Sequence, residues 1–135
     1  MRVLTIKEPF ASLIAHRIKK IETRSWKTKY RGEIYIHAGL AKVNVKDKRI
    51  QHLMTYLPDP TPKYGVIIAK ANLVDCVFMD DAFLKQIKEN PVEYECGHYE
   101  YGRYAWVLDD VEILETPIPA KGKLGIWYYE KSNHH

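Results

Sequence analysis

Between residues 19 and 31, KKIETRSWKTKYR, the chain gathers six basic side chains, one carboxylate and one indole. Read as an extended segment, Lys20, Glu22, Arg24 and Trp26 alternate with Ile21, Thr23 and Ser25. One face then carries two cations, a carboxylate and an indole. Each of these groups has a counterpart in a nucleotide: a cation answers phosphate, an indole stacks on a base, and a carboxylate accepts from an exocyclic amine. The competing reading is a solvated strand face, where Lys, Glu and Arg screen one another for little energy while the Trp packs inward.

The charge of the whole chain is lopsided in the same direction. Residues 1–49 hold 13 Lys+Arg against 4 Asp+Glu, a net of +9, and residues 50–135 hold 8 against 13, a net of −5. A basic region of this size attracts anions, and nucleic acid before a general acidic partner. At 135 residues, 46% hydrophobic and 28% charged, the sequence reads as one soluble domain over 1–131, followed by a 132–135 tail. No apolar run approaches the roughly 20 residues of a membrane span, and the N-terminus lacks a signal-peptide pattern. No membrane partner and a cytoplasmic location are therefore expected. Cys76 and Cys96 stand twenty apart, outside any CxxC or Cys/His ligand spacing, and read as free thiols. No metal and no cofactor is expected.

Several elements must position the basic segment. Residues 2–7, RVLTIK, read as a short strand, and Pro9 suits the first turn of a helix in which Phe10, Leu13, Ile14 and Ile18 recur at helical spacing. Residues 33–38 alternate as a strand, with His37 taken as structural. Asn44 is placed as cap of a second helix carrying Ile50, Leu53, Met54 and Leu57 up to Pro58. Residues 64–79 read as a long central strand bent near 70–72. Asp80 or Asp81 caps a third helix ending at Asn90-Pro91, and residues 91–103 read as an aromatic loop. Strands over 104–115, interrupted at Asp109-Asp110, and over 124–129 complete the set. Five to six mostly antiparallel strands with about three helices make an α+β fold class, a curved sheet or small barrel.

Eight pieces in order resemble the ASCH domain: LTIKEPFASLI at 4–14, K-x-x-E-x-R at 19–24, Trp26, RG at 31–32, IHA at 36–38, GVIIAKANLVDC at 65–76, YAWVL at 104–108 and KGKLGIW at 121–127. The resemblance is strongest to the branch found in activating signal cointegrator and in small bacterial and phage proteins. It implies a PUA-like fold, a cleft floored by the K-x-x-E-x-R segment, and binding of RNA or other nucleic acid. Carried over by position, Lys19, Glu22 and Arg24 are the cleft residues. With the face derived above and the adjoining cation, the candidate binding residues are Lys19, Lys20, Glu22, Arg24, Trp26 and Arg31. Three positions depart from the family's pattern: Arg17 stands where a Gly is usual, Glu8 for Gln, and Phe10 for Trp.

The binding reading is a module for RNA or a (modified) nucleobase, with RNA, other nucleic acid or a nucleoside as partner. Two other functions lie within the family's range: a hydrolase, either N4-acylcytidine amidohydrolase or ribonuclease, and a protein–protein adaptor of the cointegrator type. The amidohydrolase arrangement uses a Thr nucleophile, and its position is Glu22 in this chain, while Thr23 falls on the opposite strand face. No residue is assigned a catalytic role. An anionic Glu22 would oppose the oxyanion of amide hydrolysis, so purified protein is expected to leave N4-acetylcytidine intact in a chromatographic assay. Turnover that disappears in Lys19→Ala would overturn this expectation.

Overall fold

The computed structural model describes residues 1–130, so the 132–135 tail lies outside the described residues. Six strands, β1 (Arg2–Ile6), β2 (Ile21–Arg24), β3 (Gly32–Ala38), β4 (Val66–Phe78), β5 (Tyr104–Pro119) and β6 (Ile126–Tyr128), form one sheet in the order β2-β5-β4-β3-β1-β6. All neighbours are antiparallel except β1 and β3, which pair in parallel from Val3↔Tyr35 to Ile6↔Ala38. That parallel pair is possible because α1 (Phe10–Ala15), β2 and the loop after it supply a crossover between β1 and β3. The result is the expected α+β, PUA-like curled sheet, with one helix more than anticipated.

Curvature comes from β4 and β5, whose pairing shifts register at Ile67/Ala69, Lys70/Asn72 and Leu73/Asp75. The middle shift falls where the sequence predicts the bend. Asp110, opposite this region, has φ 50, so the interruption expected at Asp109-Asp110 is a kink within one continuous strand. The concave face buries Leu4, Ile6, Ile34, Ile36, Leu73 and Trp106 against Ile14 of α1. A second cluster, Leu13, Leu53, Leu57 and Cys96, joins α1 to α2 (Lys48–Met54) and to the end of α4 (Pro91–Glu95).

The helix starts differ from the sequence reading in two places. Asp47, rather than Asn44, caps α2, its carboxylate accepting from Arg49 N at 2.8 Å and Ile50 N at 3.3 Å. Asn44 instead turns the approach to that cap, its side chain accepting from Lys46 N. Asp80 caps α3 (Asp81–Ile87) as anticipated, but Asn90-Pro91 starts a helix as well as ending one. Asn90 accepts from Glu93 N and Pro91 takes the first helical position, so part of the stretch expected as loop is α4.

His37 is fully buried and fully bonded. Its Nε2 lies 2.7 Å from the Ala120 carbonyl, which only accepts, so Nε2 carries the proton and Nδ1 accepts from the Thr5 hydroxyl at 3.1 Å. Thr5 Oγ1 in turn accepts from Trp127 Nε1 at 2.9 Å. This chain of bonds ties β1, β3 and β6 together.

α1 ends two to three residues before the predicted Ile18, and the manner of its ending sets up the basic segment. Ile18 N donates to Leu13 O and Arg17 N to Ile14 O, both at 3.0 Å, with Arg17 at φ 62. This is the Schellman arrangement, in which the left-handed position is ordinarily Gly. A side chain there costs on the order of 1 kcal/mol. Arg17 recovers part of it by donating from Nε to Val111 O at 2.9 Å. Arg17→Ala keeps the strain and loses the bond, so it is expected to lower unfolding free energy by about 1 kcal/mol. Arg17→Gly loses the bond but removes the strain, so urea titration should rank it above the Ala variant; the reverse order would refute this account of the turn.

Candidate functional site

The turn after α1 delivers Lys19 into the interior. Its backbone N also donates to Leu13 O at 3.1 Å, and the side chain is 1% exposed. Its ammonium donates to Cys96 O at 2.9 Å and lies 3.7 Å from Glu22 Oε1. β2 starts only at Ile21, so strand alternation begins there and not at Lys20. Glu93 of α4 fixes that start, accepting from Lys20 N at 2.7 Å and Ile21 N at 3.3 Å. Glu93 is itself 3% exposed, and burial raises its pKa against the opposing pull of those two N–H groups and of Lys19.

Along β2, Glu22 pairs in register with Trp106 and Arg24 with Tyr104, so Glu22 and Arg24 share the concave face. Arg24 grips one carboxylate oxygen twice, with Nε at 3.1 Å and Nη2 at 2.9 Å from Glu22 Oε2. Its Nη2 also donates to Thr5 O at 3.0 Å, bridging β2 to β1 across the open side of the sheet. Glu22 Oε1 is left with Lys19 at 3.7 Å, beyond hydrogen-bond length. Trp26 stands 40% exposed, edge-on to Trp106 at 4.6 Å, and its carbonyl accepts from Trp106 Nε1 at 3.2 Å.

These groups line a cleft of about 1200 Å³, whose other walls come from Lys7 and Phe10, the segment 39–44, Arg49 of α2, and Cys96, His98 and Arg103. Arg49 reaches across from α2, donating to Glu95 O at 2.8 Å and Gly97 O at 3.2 Å. Arg103 donates to His98 O at 3.0 Å and Thr23 O at 3.3 Å. The Thr23 hydroxyl is occupied as acceptor for His98 N at 3.0 Å. Burial pushes the Cys96 thiol up to about 11, so it stays protonated and un-nucleophilic at neutral pH.

Of the six candidate residues, Lys19, Glu22, Arg24 and Trp26 come together at the cleft. Lys20 and Arg31 do not line it. Lys20 is exposed, because the turn before β2 breaks the alternation that placed it beside Glu22. Arg31 is exposed too, donating to Thr28 O and Tyr30 O and pairing with Asp75 at 3.8 Å. Lys7, Lys42, Arg49 and Arg103 were not picked out by sequence reasoning. Each lies outside the K-x-x-E-x-R segment, and no local pattern signals them.

The ASCH domain profile matches residues 4–119. The chain belongs to the ASCH domain family. It is similar to activating signal cointegrator 1 of Homo sapiens, 25% identical over 139 aligned positions, and of Mus musculus, 22% identical over the same length. Each alignment takes in 97% of this chain but 22% of the relative, so the chain spans about a fifth of the length of those proteins. In this ASCH chain the turn usually made by Gly keeps its backbone form with Arg17, and Glu8 serves as a buried acceptor for Ser12 N, Ser12 Oγ and Lys63 N.

Glu93 is the group on which the site's placement hangs. Glu93→Ala leaves two backbone N–H groups without acceptors and is expected to cost about 1–3 kcal/mol. In hydrogen exchange, the amides of Lys20 and Ile21 should lose protection before those of β3. Unchanged stability and unchanged protection would show that β2 holds its position without α4.

Proposed function

We propose that this chain is a nucleic-acid-binding module, for RNA or another nucleic acid, whose cleft reads a base at the Glu22–Arg24 pair. Membership of the ASCH family supports a nucleic-acid-related or cointegrator-like role in general terms. The observation that carries the finer reading is the half-used carboxylate: Arg24 saturates Glu22 Oε2, while Oε1 keeps only the 3.7 Å contact with Lys19. An acceptor held open beside two fixed cations suits an exocyclic amine next to a ring or carbonyl acceptor. Cytosine and guanine offer both; uracil has no amine. Trp26 at the cleft edge supplies a surface for stacking, worth about 1–3 kcal/mol per base.

Burial gives Lys19 a structural share and a place beside the carboxylate that this reading uses. At 3.7 Å and an effective dielectric near 20, attraction to Glu22 is about 4 kcal/mol. Removing an ammonium from water costs several kcal/mol, so the two roughly cancel. The Lys19 bond to Cys96 O at 2.9 Å ties the end of α4 in place, and the same ammonium sets a fixed positive charge beside Glu22 Oε1 at the cleft.

A protein partner of the cointegrator kind is the second reading, favoured by the relatives' names. Titration of C-, G- and U-containing oligonucleotides separates the two. C or G should bind about 5–150-fold more tightly than U, the equivalent of one good bidentate contact. Glu22→Gln should shrink that preference more than the affinity itself, and Arg24→Ala should lower both. Equal binding of all three, with ranking unmoved by Glu22→Gln, would make Glu22 a structural partner of Arg24; no binding at all would leave the protein partner.

A further inference from the structure

The sheet's two edge strands, β2 and β6, make no hydrogen-bonded pair, yet the loops beside them meet. The tip of the Trp26 indole lies 3.9 Å from where a Cβ on Gly125 would stand. The loop at 120–125 cannot swing away freely. Ala120 O accepts from His37 Nε2 at 2.7 Å, and Ala120 N donates to Gly65 O at 3.1 Å. Gly122 sits so close to β1 and β3 that a Cβ there would come within 2.9 Å of Thr5 Oγ1 and 3.0 Å of His37 Cε1. Thr5 is also the residue whose carbonyl anchors Arg24. The 120–125 loop therefore runs on a fixed course beside the cleft, and the 25–31 loop meets it through Trp26.

Between them, these two loops carry Lys27, Lys29, Lys121 and Lys123 and contain no Asp or Glu. All four lysines are exposed, and none is in an ion pair among the described residues. They contribute nothing to the cleft itself, which none of them lines. Lys27 and Lys29 follow Trp26 within three residues and Lys121 and Lys123 precede Gly125 within four, so the two loops that meet at Trp26 carry like charges that repel one another. A ligand confined to the cleft leaves that repulsion in place, whereas a chain of phosphates leaving past Trp26 removes it.

We infer that the two loops form a phosphate track continuous with the cleft, so that a single-stranded oligonucleotide binds more tightly than a free nucleoside or mononucleotide. The inference rests on the cleft binding a nucleotide as proposed above. In the complex, one base enters beside Glu22 and Arg24, the chain turns over Trp26, and the following phosphates run along the lysines of both loops.

The test compares cytidine and guanosine monophosphates with single-stranded oligonucleotides of increasing length. Wild type is measured against Lys27→Ala/Lys29→Ala/Lys121→Ala/Lys123→Ala and against a control, Lys85→Ala/Lys88→Ala, on α3 and at its C-terminal end, neither lining the cleft. Single-strand contacts contribute about 0.7 each to the slope of log affinity against log salt. Removing all four should flatten the oligonucleotide slope by up to about 3, equivalent to roughly a 50-fold smaller loss between 50 and 200 mM salt. Mononucleotide affinity should stay as in wild type, and the control should keep the wild-type slope. If mononucleotides bind but oligonucleotides gain nothing with length, or the quadruple variant and the control behave alike, the track is refuted while the cleft reading stands. If neither mononucleotide nor oligonucleotide binds wild type, both fall together. Because all four side chains are exposed, a thermal melt should show the variant folded, and the comparison holds on a native protein.

Discussion

A buried ammonium ties together the elements around this structure's cleft. Lys19 reaches Cys96 O at the end of α4 and Glu22 on β2, and its charge also acts on Glu93 of α4. Each element is too short to hold its place alone: β2 has four residues and α4 five. Helices and strands of that length draw their stability from tertiary partners rather than from propensity. The ion pair and the Glu93 bonds to Lys20 N and Ile21 N are what such partners look like at the polar end of a fold, where the apolar cluster of Leu13, Leu53, Leu57 and Cys96 stops.

From that anchor, polar contacts lead outward in a graded series. Lys19 is sealed, Glu22 is nearly so, Arg24 is partly open, and Trp26 stands in solvent contact. Arg24 also spans to Thr5 O, closing the side of the half-barrel that no strand pairing closes. The hydroxyl of the same Thr5 belongs to the His37–Trp127 network that fixes the 120–125 loop. Arg24 and its partner Glu22 on one side and the 120–125 loop on the other are thus linked through one residue of β1. A site preorganised in this way spends little on ordering when a ligand arrives.

Much of this was legible in the sequence because it rests on local periodicity. The alternation of 33–38, the bend near 70–72, the aspartate cap before Asp81 and the helical spacing of Phe10, Leu13 and Ile14 are each set by neighbours within a few residues, and the structure has all of them. The ordered motifs that resemble the ASCH domain supplied the fold and the cleft's floor. Errors occurred where two local signals competed. Asn44 and Asp47 both suit a cap, and only the approach of the chain after β3 chooses Asp47. Asn90-Pro91 reads as a stop, yet the same pair is a cap and first residue, so α4 went unseen, and with it Glu93 and the carbonyl that receives Lys19.

Sequence alone determined that residues 19–26 would carry cations, a carboxylate and an indole in extended chain, since residue types and alternation are properties of the segment itself. Tertiary structure decided which of them meet. Strand parity favoured Lys20 over Lys19, but the left-handed turn at Arg17 and the pinning by Glu93 reset the alternation, turning Lys19 inward and Lys20 out. It also brought Lys7, Lys42, Arg49 and Arg103 to the same cleft and two lysine-bearing loops to its rim. Those meetings depend on how a six-stranded sheet curls at three register shifts, and a curl of that kind sums small twists along the whole of β4 and β5 that no single stretch of sequence contains.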